Sequence, residues 1–412
     1  MAARELPVRP SLEQYKKQAK ELLEKLRSAD PDALKRAHEY HPRLSKLLSS
    51  GPGAAKIALA DAHFVIAREH GFDSWTKFAK HIEAAADEHS AIARFESAVD
   101  AVVAGDVTTL RRVLRENPKL IRARSTRTHH ATLLHYVGAN GVEEFRQKTP
   151  KNAVQITEML LDAGADVDAV ADLYGGSTTL GLVATSVHPA AAGVQGALMD
   201  LLLAHDASVD DAVAKSYTDG HVVKACLVNG QPDAAAFLAN RGAALDLEGA
   251  AGLGRLDTVR AFFDDSGRLK PGSTPESMAR AFARACDYGR TDVVEFLLDR
   301  GIDVGARLPD QGIFRGHTGL HLTAFGGHVE TIKALLRRNA PVDATDATFG
   351  TTPTMWALYA WGEEPQAPPE DYYAAVKLLV DAGARIEPEW LEQEKVRADP
   401  RMRAALGGSR ES

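Results

Sequence analysis

The sequence predicts an all-α protein, a solenoid of stacked helical hairpins with a helical leader ahead of it. Three observations carry this prediction. A degenerate unit, clearest from His317 to Ala344, recurs along most of the chain, and recurrence of this kind marks stacked repeats. Aromatic residues make up only 6% of the chain against 45% hydrophobic, so alanine and leucine between recurring glycines must carry the packing, which suits short helices better than a β-branched sheet. Glycine, asparagine or aspartate recurs where each second helix should stop, because the chain leaves a helix through a left-handed residue that other side chains resist.

In chain order, Pro10-Ser-Leu-Glu-Gln14 reads as a capping signature that opens a helix running to about Arg27, with Leu12, Tyr15, Ala19, Leu22, Leu23 and Leu26 on one face. Asp30-Pro31 starts a second helix that His41-Pro42 ends, Ala54 to Glu69 forms a third that stops at Gly71, and Ser74 caps a fourth carrying Trp75, Phe78 and Ile82. These four helices form a leader over residues 1–90.

The stops that follow lie at Asn117, Gly164, Asp206, Gly242, Gly267, Gly301, Asn339 and Gly383. The step from Gly267 to Gly301 is 34 residues, most others are longer, and the one from Gly242 to Gly267 is short. This fits a unit of roughly 33 residues with insertions and one truncated copy. Second helices present single apolar faces, such as Ile332, Leu335 and Leu336, or Val376, Leu378 and Leu379, whereas first helices hold small residues that let neighbouring units approach. The array spans residues 91–390 in about seven to eight degenerate units. Glu389-Trp-Leu-Glu-Gln-Glu-Lys395 begins a polar helix that covers the last unit within a 391–412 cap and tail, with disorder expected from Gly407 onward.

At these residues the chain resembles the ankyrin-repeat family over about residues 95 to 390. Thr318-Gly-Leu-His321 is similar to the family's Thr-Pro-Leu-His start, Thr352-Pro353 preserves its first half, and Thr132-Leu-Leu-His135 has leucine in the proline position. Gly-Gly-His-Val-Glu330 and Tyr-Gly-Arg-Thr-Asp-Val-Val-Glu295 resemble the link between helices. Met355 and Gly181 depart from the expected histidine. The stretch from Ala60 to Trp75 resembles a leader found ahead of bacterial ankyrin arrays, and it brings no known chemistry.

Charge and composition exclude several functions. Residues 1–90 carry 15 Lys/Arg against 13 Asp/Glu, and the remainder 34 against 43, so the array is acidic and nucleic acid is not its expected partner. No signal-peptide core or apolar run of about 20 residues is present, which points to a cytoplasmic protein without membrane contact. Cys226 and Cys286 are too few for a disulfide framework and fall where the family places a small buried alanine. His317 and His321 have a metal-ligand spacing without a third ligand, and the resemblance implies that His321 and His135 bond across their turns instead. His129-His130 reads as part of an exposed turn. Gly175-Gly176 and Gly407-Gly408 lack the lysine and helix of a phosphate loop, and no acid and base pair stands out among carboxylates that caps explain. No cofactor, metal site or catalytic residue is therefore assigned.

The residues that call for a function are polar and aromatic ones at exposed places on a rigid frame. Asn140, Thr185, Ser186, Asn229, Asp287, Tyr288, Phe325 and Tyr359 end the first helices, where the family displays its variable contacts, and Tyr174, Phe314, Arg315 and Phe349 are turn tips. Insertions over 142–153, 187–196 and 361–371 lengthen three links, and the last, acidic and proline-stiffened from Trp361 onward, reads as a specificity loop. The expected role is a non-catalytic scaffold that docks an unidentified protein partner on the concave face and turn tips. The alternative is a small molecule, or an enzymatic substrate, held under the inserted loops, with Asp287, Tyr288 or Tyr359 at work. A further alternative gives the leader a docking role of its own, as a module separable from the array.

Overall fold

A computed structural model describes residues 3–7, 10–49, 57–216, 218–307 and 316–407 of the chain. Two compact units emerge, 1–243 and 244–412. Among the described residues the regular structure is helical, with isolated antiparallel bridges such as Phe263 to Leu269 closing turns. Phe314 and Arg315, and the expected disorder beyond Gly407, fall outside the described residues.

The first unit opens with α1 (Leu12–Arg27), α2 (Pro31–Tyr40), α3 (Pro42–Ser49), α4 (Leu59–Glu69) and α5 (Trp75–Ala85). Ser11, Asp30 and Ser74 cap α1, α2 and α5 by accepting amide hydrogens. The leader thus holds one helix more than its sequence suggests. Pro42 ends α2 but also occupies the first position of α3, where its missing amide hydrogen costs nothing. Tyr15, Ala19, Leu22, Phe72 and Phe78 fill a core beneath these helices, each fully buried large apolar side chain contributing about 1.5–3 kcal/mol.

The hairpins follow as α6 (Ala91–Ala104) with α7 (Val107–Glu116), a 3-10 turn (Leu134–Gly138) with α8 (Ala153–Asp162), α9 (Thr179–Thr185) with the short α10 (Val187–Ala191) and α11 (Gln195–Ala204), and α12 (Val222–Val228) with α13 (Pro232–Ala239). The first members α6, the 3-10 turn, α9 and α12 pack in sequence, as do α8, α11 and α13.

The second unit repeats the pattern in α14 (Leu247–Gly252), α15 (Leu256–Ala261), α16 (Pro275–Asp287), α17 (Thr291–Asp299), α18 (Gly319–Phe325), α19 (Val329–Arg337), α20 (Pro353–Glu363) and α21 (Pro369–Asp381). Even-numbered first helices from α14 to α20 pack on one another, and α15, α17, α19 and α21 form the second layer. The expected single capping helix is instead α22 (Pro388–Glu392), α23 (Glu394–Ala398) and α24 (Pro400–Ala405). Trp390, Val396 and Met402 bury themselves in the unit's core, and α24 rests on α21.

The helix stops behave as chain chemistry requires, with one exception. Gly164, Asp206, Gly242, Gly267, Gly301, Asn339 and Gly383 all have positive φ. Asn117 instead has φ −140° and ψ 72°, because the ring of Pro118 drives the preceding residue toward extended backbone. The short step before Gly267 is a truncated α15 followed by a tight turn, in which Asp264 accepts from the Ser266 and Arg268 amides.

Departures from the repeat pattern also have local causes. A side chain at Gly181 would begin 2.0 Å from the Ala212 carbonyl oxygen, so no histidine fits. His321 and His135 accept the Thr318 and Thr132 amides at Nδ1, each 3.1 Å. The proton of His321 then lies on Nε2, 3.1 Å from the Thr351 carbonyl, binding one unit to the next. Cys226 and Cys286 are free and buried, and a Cβ on Gly319 would sit 2.9 Å from the Cys286 sulfur, which measures how closely α16 and α18 approach.

Candidate partner-binding faces

In the second unit, α20 sets Trp356 and Tyr359 on one helical face. The turn before it is built on Asp346, which is buried and accepts from the amides of Thr348, Phe349 and Thr351 and from the Trp356 indole at 3.2 Å. Burial works to raise this carboxyl, but the hydrogen bonds from Thr351, Phe349 and Trp356 outweigh it and hold Asp346 well below the usual carboxylate range. A permanently ionised acceptor therefore fixes the indole. Around Trp356 stand Phe325 at 5.5 Å, Phe349 at 5.9 Å, Tyr359 at 6.1 Å and His317 at 4.9 Å between ring centroids. Phe349 is 65% exposed and Tyr359 48%, so two rings face outward over a half-buried indole.

Other expected residues of this unit divide. Asp287 and Tyr288 end α16 as anticipated. Burial pushes the Asp287 carboxyl up and Arg284, at 2.9 Å, partly offsets this, while its backbone carbonyl accepts from His328. Trp361 does not join the cluster, turning toward the Tyr373 ring at 6.4 Å. The insertion from Trp361 is largely helical, because α20 continues to Glu363 and α21 begins at Pro369. The short link between them is pinned rather than draped outward: the Gln366 amide donates to the Tyr372 hydroxyl, which donates to the Phe325 carbonyl at 3.0 Å.

In the first unit, Tyr174, 52% exposed, donates to Asn140 Oδ1 at 2.8 Å, and the Asn140 amide donates to Thr185 at 3.0 Å. Thr185 and Ser186, expected on an open face, are buried: Thr185 bonds back to the Gly181 carbonyl and Ser186 reaches the Ala139 carbonyl. Buried Gln195 seals this corner by donating to the carbonyls of Val183, Ala184 and Ser186. Asn229 is exposed and donates to the Ala225 carbonyl, so it caps α12. His129 is also buried, near Glu143, whereas His130 meets Asp172 at 2.7 Å.

Trp356 and Asp346 are the members that sequence reasoning passed over, and His317, weighed there only as a metal ligand, packs its ring against Trp356. Trp356 lies three residues before Tyr359 on a helix, a spacing that places both on one face and could have flagged it. Among the described residues no group of three His, Cys, Asp or Glu could hold a metal ion, and no helix is long and apolar enough to cross a membrane.

Residues 282–389, which contain the whole of this cluster, match the family model of ankyrin repeats in 3 copies. The chain carries ankyrin repeats. Inversin of Gallus gallus is 41% identical over 64 residues, 16% of this chain and 6% of that protein, so the chain matches only a small part of this relative's length. The ankyrin repeat domain of human ASB11 aligns at 18% identity with a TM-score of 0.35, over 70% of this chain and 99% of that chain. Ankyrin repeats are in general protein-protein interaction modules.

Proposed function

We propose that the protein is a non-catalytic ankyrin scaffold that docks a protein partner on the first helices and turn tips, with Phe349 and Tyr359 as the main anchors. The observation that carries this reading is the pair of outward rings on an indole fixed by Asp346. A preordered surface loses little side-chain entropy on docking, and aromatic anchors backed by packed neighbours carry most interface energy. Asp287 and Tyr288 at the end of α16 offer polar contacts on the same unit, and Tyr174 with Asn140 forms a smaller face on the first unit.

The test is affinity recovery of partners by the full chain, comparing wild type with Phe349→Ala plus Tyr359→Ala. Both rings are exposed, so the melting midpoint should stay where it is, while specific partner recovery falls by roughly tenfold or more. Recovery equal to wild type would remove the aromatic face from the mechanism.

A further inference from the structure

A second feature lies within the first unit, on the side of the leader rather than on the aromatic faces. A cavity of about 570 Å³ opens between the N-terminal segment around Leu6, helices α5 and α6, and the insertion that follows the 3-10 turn. Its wall contains two almost fully buried guanidiniums. Arg127, 3% exposed, donates to Glu96 Oε1 and to Glu143 Oε1, each 2.7 Å. Arg146, 6% exposed, donates to Glu96 Oε2 and to Asp100, each 2.7 Å. Burying such charges is unfavourable until pairing offsets it, and stacking of helical hairpins does not require it.

The cavity also meets an unfinished group. His81 lines it, is 1% exposed, and places Nδ1 2.8 Å from the Thr126 hydroxyl. Its Nε2 has no hydrogen-bond partner among the described residues. A buried imidazole nitrogen left unpaired is destabilising, and a ligand on the cavity side would supply the missing partner.

Charge selects the class of ligand. Among the described lining residues, Glu5, Glu96, Asp100 and Asp106 face only Arg127 and Arg146, and both guanidiniums already hold carboxylates. Burial keeps His81 uncharged at neutral pH, its pKa lowered to about 4. Among these described residues the excess is negative, which repels a phosphate or carboxylate and attracts a cation. The remaining wall is apolar, from Leu6 and Pro7 to the alanines of α6.

We propose that this cavity binds a small organic cation, an ammonium or amidinium group on a short apolar body, with the charged end toward Asp100 and Glu96 and a hydrogen bond completed at His81. Arg146 reaches the site because the insertion carries it there, which gives the insertion a purpose independent of partner docking.

Three probes of one length and different charge test the proposal on the full chain: hexylamine, hexanol and hexanoate, at constant ionic strength. The readouts are the histidine ring NMR signals, with that of His81 assigned by its loss in His81→Gln, and the melting midpoint. Hexylamine should shift the His81 signal saturably and raise the midpoint, with hexanol and hexanoate weaker by roughly tenfold or more. Glu5→Gln, at an exposed carboxylate, should weaken hexylamine without lowering the unliganded midpoint, and Asp100→Asn should weaken it while lowering that midpoint, because Asp100 also accepts from buried Arg146. Equal binding of hexanol, preference for hexanoate, an unmoved His81 signal with every probe, or undiminished hexylamine affinity in both variants would each overturn the proposal.

Discussion

At the scale of single residues, buried imidazoles set the response of this fold to acid. His81, His135 and His321 are each lowered to about 4, by burial above all, whereas an unfolded histidine titrates near 6.5. Between those values the unfolded chain binds more protons, so the stability these groups contribute is fully present above about pH 6.5 and is lost as pH falls toward 4. A series of melting curves from about pH 7.5 to about pH 4.5 should show a falling midpoint. The His321→Asn protein should start lower, having lost its bond to the Thr351 carbonyl, and fall less. At Gly181 the decisive force is repulsion. A Cβ there meets backbone rather than a side chain that could turn aside, so Gly181→Ala should cost about 3 kcal/mol or more in denaturant unfolding.

At the scale of elements, the helix stops separate backbone strain from packing. Gly301 has φ +91° and open space where a Cβ would stand, with nothing within 4 Å, so Gly301→Ala should lose only the left-handed penalty of about 1–2 kcal/mol. Asn339 at φ 61° already tolerates that conformation. Its replacement by glycine should change stability by less than about 1 kcal/mol, because asparagine visits this region at little cost. The contrast, read as two midpoints in urea, isolates conformation as the reason for each stop. These stops were legible in the sequence because the requirement is local. Asn117 does end α7, but Pro118 holds it out of the left-handed conformation expected there, and α3 was missed because Pro42 looks the same whether it ends a helix or begins one.

At the scale of the molecule, the leader and the first repeats belong to one unit. The Thr128 amide donates to the Gly71 carbonyl, Arg127 lies over the Phe72 ring at 5.6 Å, and His81 meets Thr126. Removing residues 1–90 should therefore strip protection from α6 and from 125–146 in hydrogen exchange, while 282–389 keeps its protection. Unchanged exchange over 125–146 would make the leader a separable module. The candidate faces were legible only in outline. Phe349, Tyr174 and Asn140 lie where turn tips and a helix end were expected, whereas Tyr359 lies inside α20, which runs on to Glu363, and Thr185 and Ser186 turned inward because a buried glutamine nine or more residues away organises their corner.

The chain's own order of residues determined the helical class, the repeating hairpin, the positions of most stops and the inward fate of both cysteines, because each follows from periodicity or from the backbone freedom of one residue. Tertiary structure alone decided which distant side chains meet. His81, Glu96, Arg127 and Arg146 come from two helices, a turn and an insertion, and no spacing along the chain relates them. Their meeting depends on how α5, α6 and the insertion pack, and packing is a property of surfaces rather than of sequence intervals.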